Sequence, residues 1–191
     1  MVKALVFLLC LAPTAYLAWG LLYDGLGPNP IEYITRDTGD WTLRFLLISL
    51  LITPARRILA KPALIKYRRM LGLFAFYYAF LHFLTYIWLD RFFDVADTLK
   101  DIAKRPFITV GFASFVLLIP LAITSTAGWI RRLGGKRWAL LHRAVYISVI
   151  LGVIHYWWLV KSDIRLPLMY AVFAAILLGY RLYVSFRPAR P

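Results

Sequence analysis

Six stretches of mostly apolar residues follow one another along the chain, near 4–23, 42–59, 71–89, 106–127, 138–160 and 166–186. One crossing of a bilayer's hydrocarbon core takes about 20 such residues. In lipid every backbone N–H and C=O must find a partner inside its own segment or in a closed barrel, so runs of this length predict helices. A soluble fold is excluded by composition: 62% of the 191 residues are apolar, too many for a water-facing surface to be covered by polar groups. The expected fold is an all-α integral membrane protein, a bundle of about six transmembrane helices forming one domain over residues 1–191.

The second segment is the least clean, because Arg44, Pro54, Arg56 and Arg57 fall within it or at its ends. Pro120 interrupts the fourth. Thr124, Ser125 and Thr126 follow closely and are expected to re-satisfy backbone groups that the proline frees. The first segment is longer than the about 7–15 apolar residues of a secretory signal, so a retained anchor is favoured over a cleaved leader.

The net charge of +14 is unevenly spread. The loop at 24–41 carries Asp24, Glu32, Asp37 and Asp40 against Arg36 alone. The loop at 56–69 carries Arg56, Arg57, Lys61, Lys66, Arg68 and Arg69 with no acid. The loop at 90–105 balances four acids against four bases, and the loop at 128–137 is again basic. Lys and Arg mark cytoplasmic loops. The second and fourth loops and the tail, with Arg181, Arg187 and Arg190, are therefore expected inside, and both termini with them. Every tryptophan falls near a predicted membrane boundary, as an aromatic belt requires. Nucleic acid is excluded as the partner of this charge, since its binders do not carry repeated apolar runs of this length. The basic inner loops could dock an acidic donor, and lipid headgroups explain the same charge.

The chain has one cysteine, Cys10, so no internal disulfide forms and the C-x-x-C-H motif of covalent haem attachment is absent. Chemistry is concentrated in the three histidines, His82, His142 and His155, all inside predicted spans. One such histidine could simply bond across a helix interface. Three, with none elsewhere, point to cofactor binding, because ionisable groups at this depth are functional by default. His82 lies eight residues before Asp90, about 12 Å along a helix, and His155 six residues before Lys161, about 9 Å. The two are expected at one level near the outer face, where neutral imidazoles from two helices can clamp a haem iron. His142 lies about 20 Å deeper. The corresponding residue on the third segment is Arg68, a poor iron ligand but a good partner for a propionate or phosphate. The ligation of an inner cofactor stays open. At about 100° per residue, Arg68 and His82 share a face of an ideal helix, whereas His142 and His155 miss by about 140°. Either the fifth segment is therefore expected to depart from ideal geometry, with Gly152 the candidate place, or His142 is expected to face another partner.

The stretches LLITPARR, YRRMLGLFAFYYAFLHFLTY, LAITST and LGGKRWALLHRAVYISVILGVIHYWW closely resemble the MsrQ (YedZ) family, over about residues 20–185. These are haem-binding membrane subunits of bacterial periplasmic methionine sulfoxide reductase systems, akin to the ferric-reductase-like transmembrane proteins. The resemblance implies haem b, one or two per chain, and FMN as cofactors. It implies His82, His142 and His155 as haem-iron ligands, and a basic motif at Arg68 and Arg69. It also implies an inner-membrane location. Electrons would come from the quinone pool or a cytoplasmic flavin reductase, and the acceptor would be the periplasmic molybdopterin subunit MsrP, which repairs oxidised proteins. No FMN motif is evident. With no G-x-G-x-x-G and a chain ending soon after its last apolar segment, donor and acceptor are expected to be separate molecules. Two alternatives compete: a free-standing ferric or quinone reductase, and a proton-coupled transporter or scaffold. The second is disfavoured because no carboxylate lies mid-span to partner a histidine relay.

Overall fold

The computed structural model describes residues 2–186, and all its regular elements are helical. Arg187 and Arg190, counted above with the basic tail, lie outside the described residues. The helices are α1 (Val2–Leu22), α2 (Pro30–Ile58), α3 (Ile65–Thr85), α4 (Val95–Lys104), α5 (Pro106–Ile123), α6 (Ala127–Leu133), α7 (Gly135–Leu141), α8 (Ala144–Leu159) and α9 (Arg165–Ser185). A 3₁₀ turn at Pro62–Leu64 leads into α3, and a π turn at Tyr86–Asp90 extends it. Among the described residues, five helical stretches are long and apolar enough to cross a membrane: Val2–Leu22, Pro62–Asp90, Pro106–Ile123, Gly135–Leu159 and Arg165–Ser185.

The second apolar segment also forms a helix, but a longer one than its apolar run. α2 has 29 residues, about 43 Å at the helical rise. Asn29 caps it, accepting from the Glu32 amide at 3.2 Å, and Pro30 occupies the first turn, where a missing N–H has no cost. Glu32, Arg36, Asp37, Asp40 and Arg44 all fall on it, and this polar content separates it from the five apolar spans. Part of that charge turns inward. Arg44 donates to the Tyr170 hydroxyl at 3.1 Å and approaches Asp40 at 3.9 Å.

α2 and α3 lie at the centre of the core. Leu43, Phe45, Leu46 and Leu50 of α2 meet Leu71, Phe74, Ala75 and Tyr78 of α3, with Leu118, Val149 and Leu177 closing the cluster. Phe45 and Tyr78 stack with ring centres 5.3 Å apart, and the Tyr78 hydroxyl donates to the Cys10 carbonyl of α1 at 2.8 Å. α5 and α8 approach closely through Ser114 and Ser148. Their hydroxyls lie 2.9 Å apart, and each bonds the other residue's carbonyl. Small hydroxylated residues at a contact are how helices approach in lipid, where apolar attraction between them is lost. Large apolar residues such as Phe7, Ile150, Phe173 and Ile176 face outward, as lipid contact permits.

Three local features differ from the sequence expectation. The hydroxyls after Pro120 bond the Pro120 and Leu121 carbonyls, at 2.6 and 2.7 Å. They close the last turn rather than the carbonyl of Val116, four residues back, that a proline frees. Trp41 and Trp138 turn inward: Trp41 packs on Phe45, and Trp138 donates to the Thr124 carbonyl at 2.8 Å. The charged loop at 90–105 contains α4, capped by Asp94. This helix is pinned to the end of α3 by Tyr86 on Asp101 at 2.8 Å and by Arg91, which bridges Asp97 and Asp101.

Candidate functional site

His82 on α3 and His155 on α8 come together with ring centres 6.1 Å apart and planes inclined by 76°. Helix rise alone placed them at one level, and the fold brings the two rings together edge to face. Each ring is held in the same way. His82 Nδ1 lies 2.8 Å from the Thr35 carbonyl of α2, and His155 Nδ1 lies 2.7 Å from the Phe107 carbonyl of α5. A carbonyl only accepts, so Nδ1 carries the proton and the lone pair of the neutral ring sits on Nε2.

The space for each ring is made by a glycine one turn beyond that carbonyl. A Cβ at Gly39 would lie 3.2 Å from the His82 ring, and one at Gly111 would lie 2.6 Å from His155 Nδ1. Thr35 and Gly39, like Phe107 and Gly111, are separated by four residues and so share a helix face. A carbonyl has a second lone pair for the ring after serving the helix. This carbonyl-and-glycine cradle occurs once on α2 and once on α5. Sequence reasoning did not find Thr35, Gly39, Phe107 or Gly111. The only trace was a glycine inside an otherwise helical pattern, which is a weak signal.

A metal–imidazole bond is about 2 Å long, and a ring nitrogen lies about 1 Å from its ring centre, so two imidazoles on opposite sides of one metal have centres about 6 Å apart. The observed separation meets this requirement. Among the described residues no group of three or more His, Cys, Asp or Glu could enclose a metal ion. A metal at this pair therefore needs its remaining ligands from a non-protein group, as a porphyrin supplies.

His142 lies apart, at the break between α7 and α8. The departure from ideal geometry expected in the fifth segment falls here, at 142–143, and not at Gly152. Its Nδ1 lies 3.0 Å from the Trp138 carbonyl, and its ring stacks on Trp138 with centres 3.8 Å apart. Nε2 is 3.2 Å from the Leu121 carbonyl and 3.4 Å from the Ser125 hydroxyl. The ring lines a cavity of about 280 Å³ together with Arg68, Arg69, Ser49, Ser125 and Trp138. Apolar walls from Leu46, Leu73, Phe76 and Leu118 complete it. The fold thus unites His142 with Arg68, as the depth argument paired them, and separates both from the His82–His155 pair.

A helical membrane bundle with two adjacent histidines from different helices defines a class of cofactor-binding membrane proteins. The family described as "Ferric reductase like transmembrane component" matches residues 38–153, which include His82 and His142 and end two residues before His155. Within that class the chain belongs to the MsrQ family. It is 56% identical to the "Protein-methionine-sulfoxide reductase heme-binding subunit MsrQ" of Herminiimonas arsenicoxydans, over 96% of this chain and 85% of the relative. The protein of the same name from Azospira oryzae is 54% identical over 97% of this chain and 80% of the relative. That from Polaromonas naphthalenivorans is 50% identical over 98% and 87%. No solved structure matches the chain.

Proposed function

We propose that this chain is the haem-binding, electron-transferring membrane subunit of a methionine sulfoxide reductase system. The observation that carries the reading is the pair of imidazoles 6.1 Å apart, each fixed by a carbonyl and a glycine. Its relatives are named as haem-binding subunits, which supports it independently.

In this reading His82 and His155 hold one haem b near the outer face. Bound haem supplies one-electron exchange at its iron. The Thr35 and Phe107 carbonyls fix the ring tautomers and orientation and raise the basicity of Nε2. His142, Arg68 and Arg69 serve an inner cofactor, a second haem or FMN. The guanidiniums would face its carboxylates or phosphate, and His142 Nε2 would face it once the ring turns away from the Leu121 carbonyl. The basic ends of α2 and α3 lie at the cytoplasmic face, with both termini, in a bacterial inner membrane. Electrons enter there from the quinone pool or a cytoplasmic flavin reductase and leave outward to the periplasmic subunit MsrP, for repair of oxidised proteins.

Purified protein is expected to give a reducible b-type visible spectrum with at least one haem per chain. Expression with ample haem that yields no such spectrum would overturn the reading. His142→Ala is expected to remove only the inner cofactor and leave about one haem equivalent. Loss of all haem from this variant, with helicity intact, would show that His142 belongs to the outer site. Electron transfer from the reduced protein to a purified periplasmic methionine sulfoxide reductase subunit tests the partner, and failure with haem bound would favour a free-standing reductase.

A further inference from the structure

A second cavity, of about 220 Å³, is lined by α2, α8 and α9. Its walls include Thr53 and Arg57 of α2, Tyr146 of α8, and Tyr180, Arg181 and Ser185 of α9. Arg181 is held from within the bundle: it donates to the Tyr146 hydroxyl at 3.2 Å, the Leu50 carbonyl at 2.8 Å and the Thr53 hydroxyl at 3.4 Å. Its guanidinium also lies 5.2 Å from the Tyr146 ring centre. All these partners are neutral. Among the described residues no carboxylate pairs with Arg181, and its Nε–H is buried without an acceptor.

A guanidinium cannot shed its proton, so its charge stays in this low-dielectric wall. Such a charge is costly unless an anion meets it. Arg57 adds a second positive charge at the same cavity, and Ser185 and Tyr180 add hydroxyls. We propose that this cavity is a phosphate site, in which Arg181 Nε and Arg57 hold the phosphate of a lipid headgroup or a free phosphate.

Three observations favour phosphate chemistry at this place. The planar fork of arginine matches phosphate oxygens. At about 220 Å³ the cavity has room for a headgroup phosphate. The cavity lies at the basic end of the bundle, near Arg56 and Arg57 at the end of α2, and basic pockets between membrane helices bind anionic headgroups. For the lipid source, the apolar flank of α9 leads away from Tyr180 through Ile176 and Phe173, both exposed. These three residues share a helix face, along which an acyl chain would lie. The site stands independently of the haem reading.

The test uses the full chain in detergent, with native mass spectrometry and three probes: phosphatidylglycerol, phosphate-free diacylglycerol and inorganic phosphate. Phosphatidylglycerol should be retained and diacylglycerol should not. Arg181→Gln and Arg57→Gln should each weaken retention about tenfold, while Arg131→Gln, elsewhere on the basic surface, should leave it unchanged. Displacement by millimolar inorganic phosphate would assign the site to a free phosphate, and resistance to it would assign a lipid headgroup. Equal retention of both lipids, or unchanged retention in both cavity variants, would overturn the proposal. Because Arg181 also braces three helices, Arg57→Gln, at an exposed residue, keeps the test open if Arg181→Gln does not fold.

Discussion

Alanine at His82 or at His155 is expected to remove one full haem equivalent per chain and to stop electron transfer to an outer acceptor. The two rings lie with centres 6.1 Å apart, so a haem held by both would lose one of its two protein ligands in either variant. Neither ring has a substitute at hand, because among the described residues the only other histidine is His142, in the separate inner cavity. The two variants should therefore behave alike, and the double variant should lose no more than either single one. Such non-additivity marks residues that act as a unit. Haem per chain from the reduced-minus-oxidised spectrum is the measurement. Added imidazole, which can occupy the vacated position, should restore part of the absorbance, and a merely structural histidine would show no such rescue. Full haem content in both single variants would show that the pairing is wrong.

The levels of the histidines were legible in the sequence because helix rise is a fixed length. Counting back from Asp90 and Lys161 needs only the assumption that the segments are helical, and the rings meet. The pairing of His142 with Arg68 was legible on the same basis. The part of the site that fixes the rings was not. Thr35 and Gly39 lie in RDTGDW and its approach, where Arg36, Asp37 and Asp40 give the composition of an exposed loop. They are helical because α2 begins at Pro30 and its polar residues find partners inside the bundle, such as Arg44 with Tyr170 and Asp40. Cross-helix pairing of this kind leaves no periodic trace in one sequence. A hydrogen bond to a backbone carbonyl is similarly silent, since any residue type supplies one. From the 13-residue spacing, a bend in the fifth segment was one of two alternatives, the other being a different partner for His142, and its place was not located. The glycine at 152 drew attention, whereas the turn is made by ordinary residues at 142–143. α4 was hidden by its even charge balance, which is what its ion pairs to Arg91 and Arg105 require.

Gly111→Ala is expected to be the most damaging single-methyl change in the protein for haem binding. The added Cβ would stand 2.6 Å from His155 Nδ1 and 2.9 Å from Cε1 and Cγ, well inside contact distance. The ring cannot yield cheaply, because Nδ1 is tied to the Phe107 carbonyl at 2.7 Å on the same helix face. α5 cannot easily retreat from α8 either, since Ser114 and Ser148 join them at 2.9 Å one turn deeper. Either the imidazole turns and loses its orienting bond, or the two helices part. Loss of an orienting partner typically weakens a metal site by about 10–100-fold, and a fall in haem affinity of that size is the expected result, with a shift in the reduction potential of whatever haem remains. Gly39→Ala should act in the same direction but more mildly, because its Cβ would meet the His82 ring at 3.2 Å. Gly179→Ala, with nothing within 4 Å of the new methyl, should leave haem binding unchanged. Haem titration of the three purified variants gives the order directly. Wild-type affinity and potential in Gly111→Ala would mean that the carbonyl-and-glycine cradle does not position His155, and that the two imidazoles owe their separation to helix packing alone.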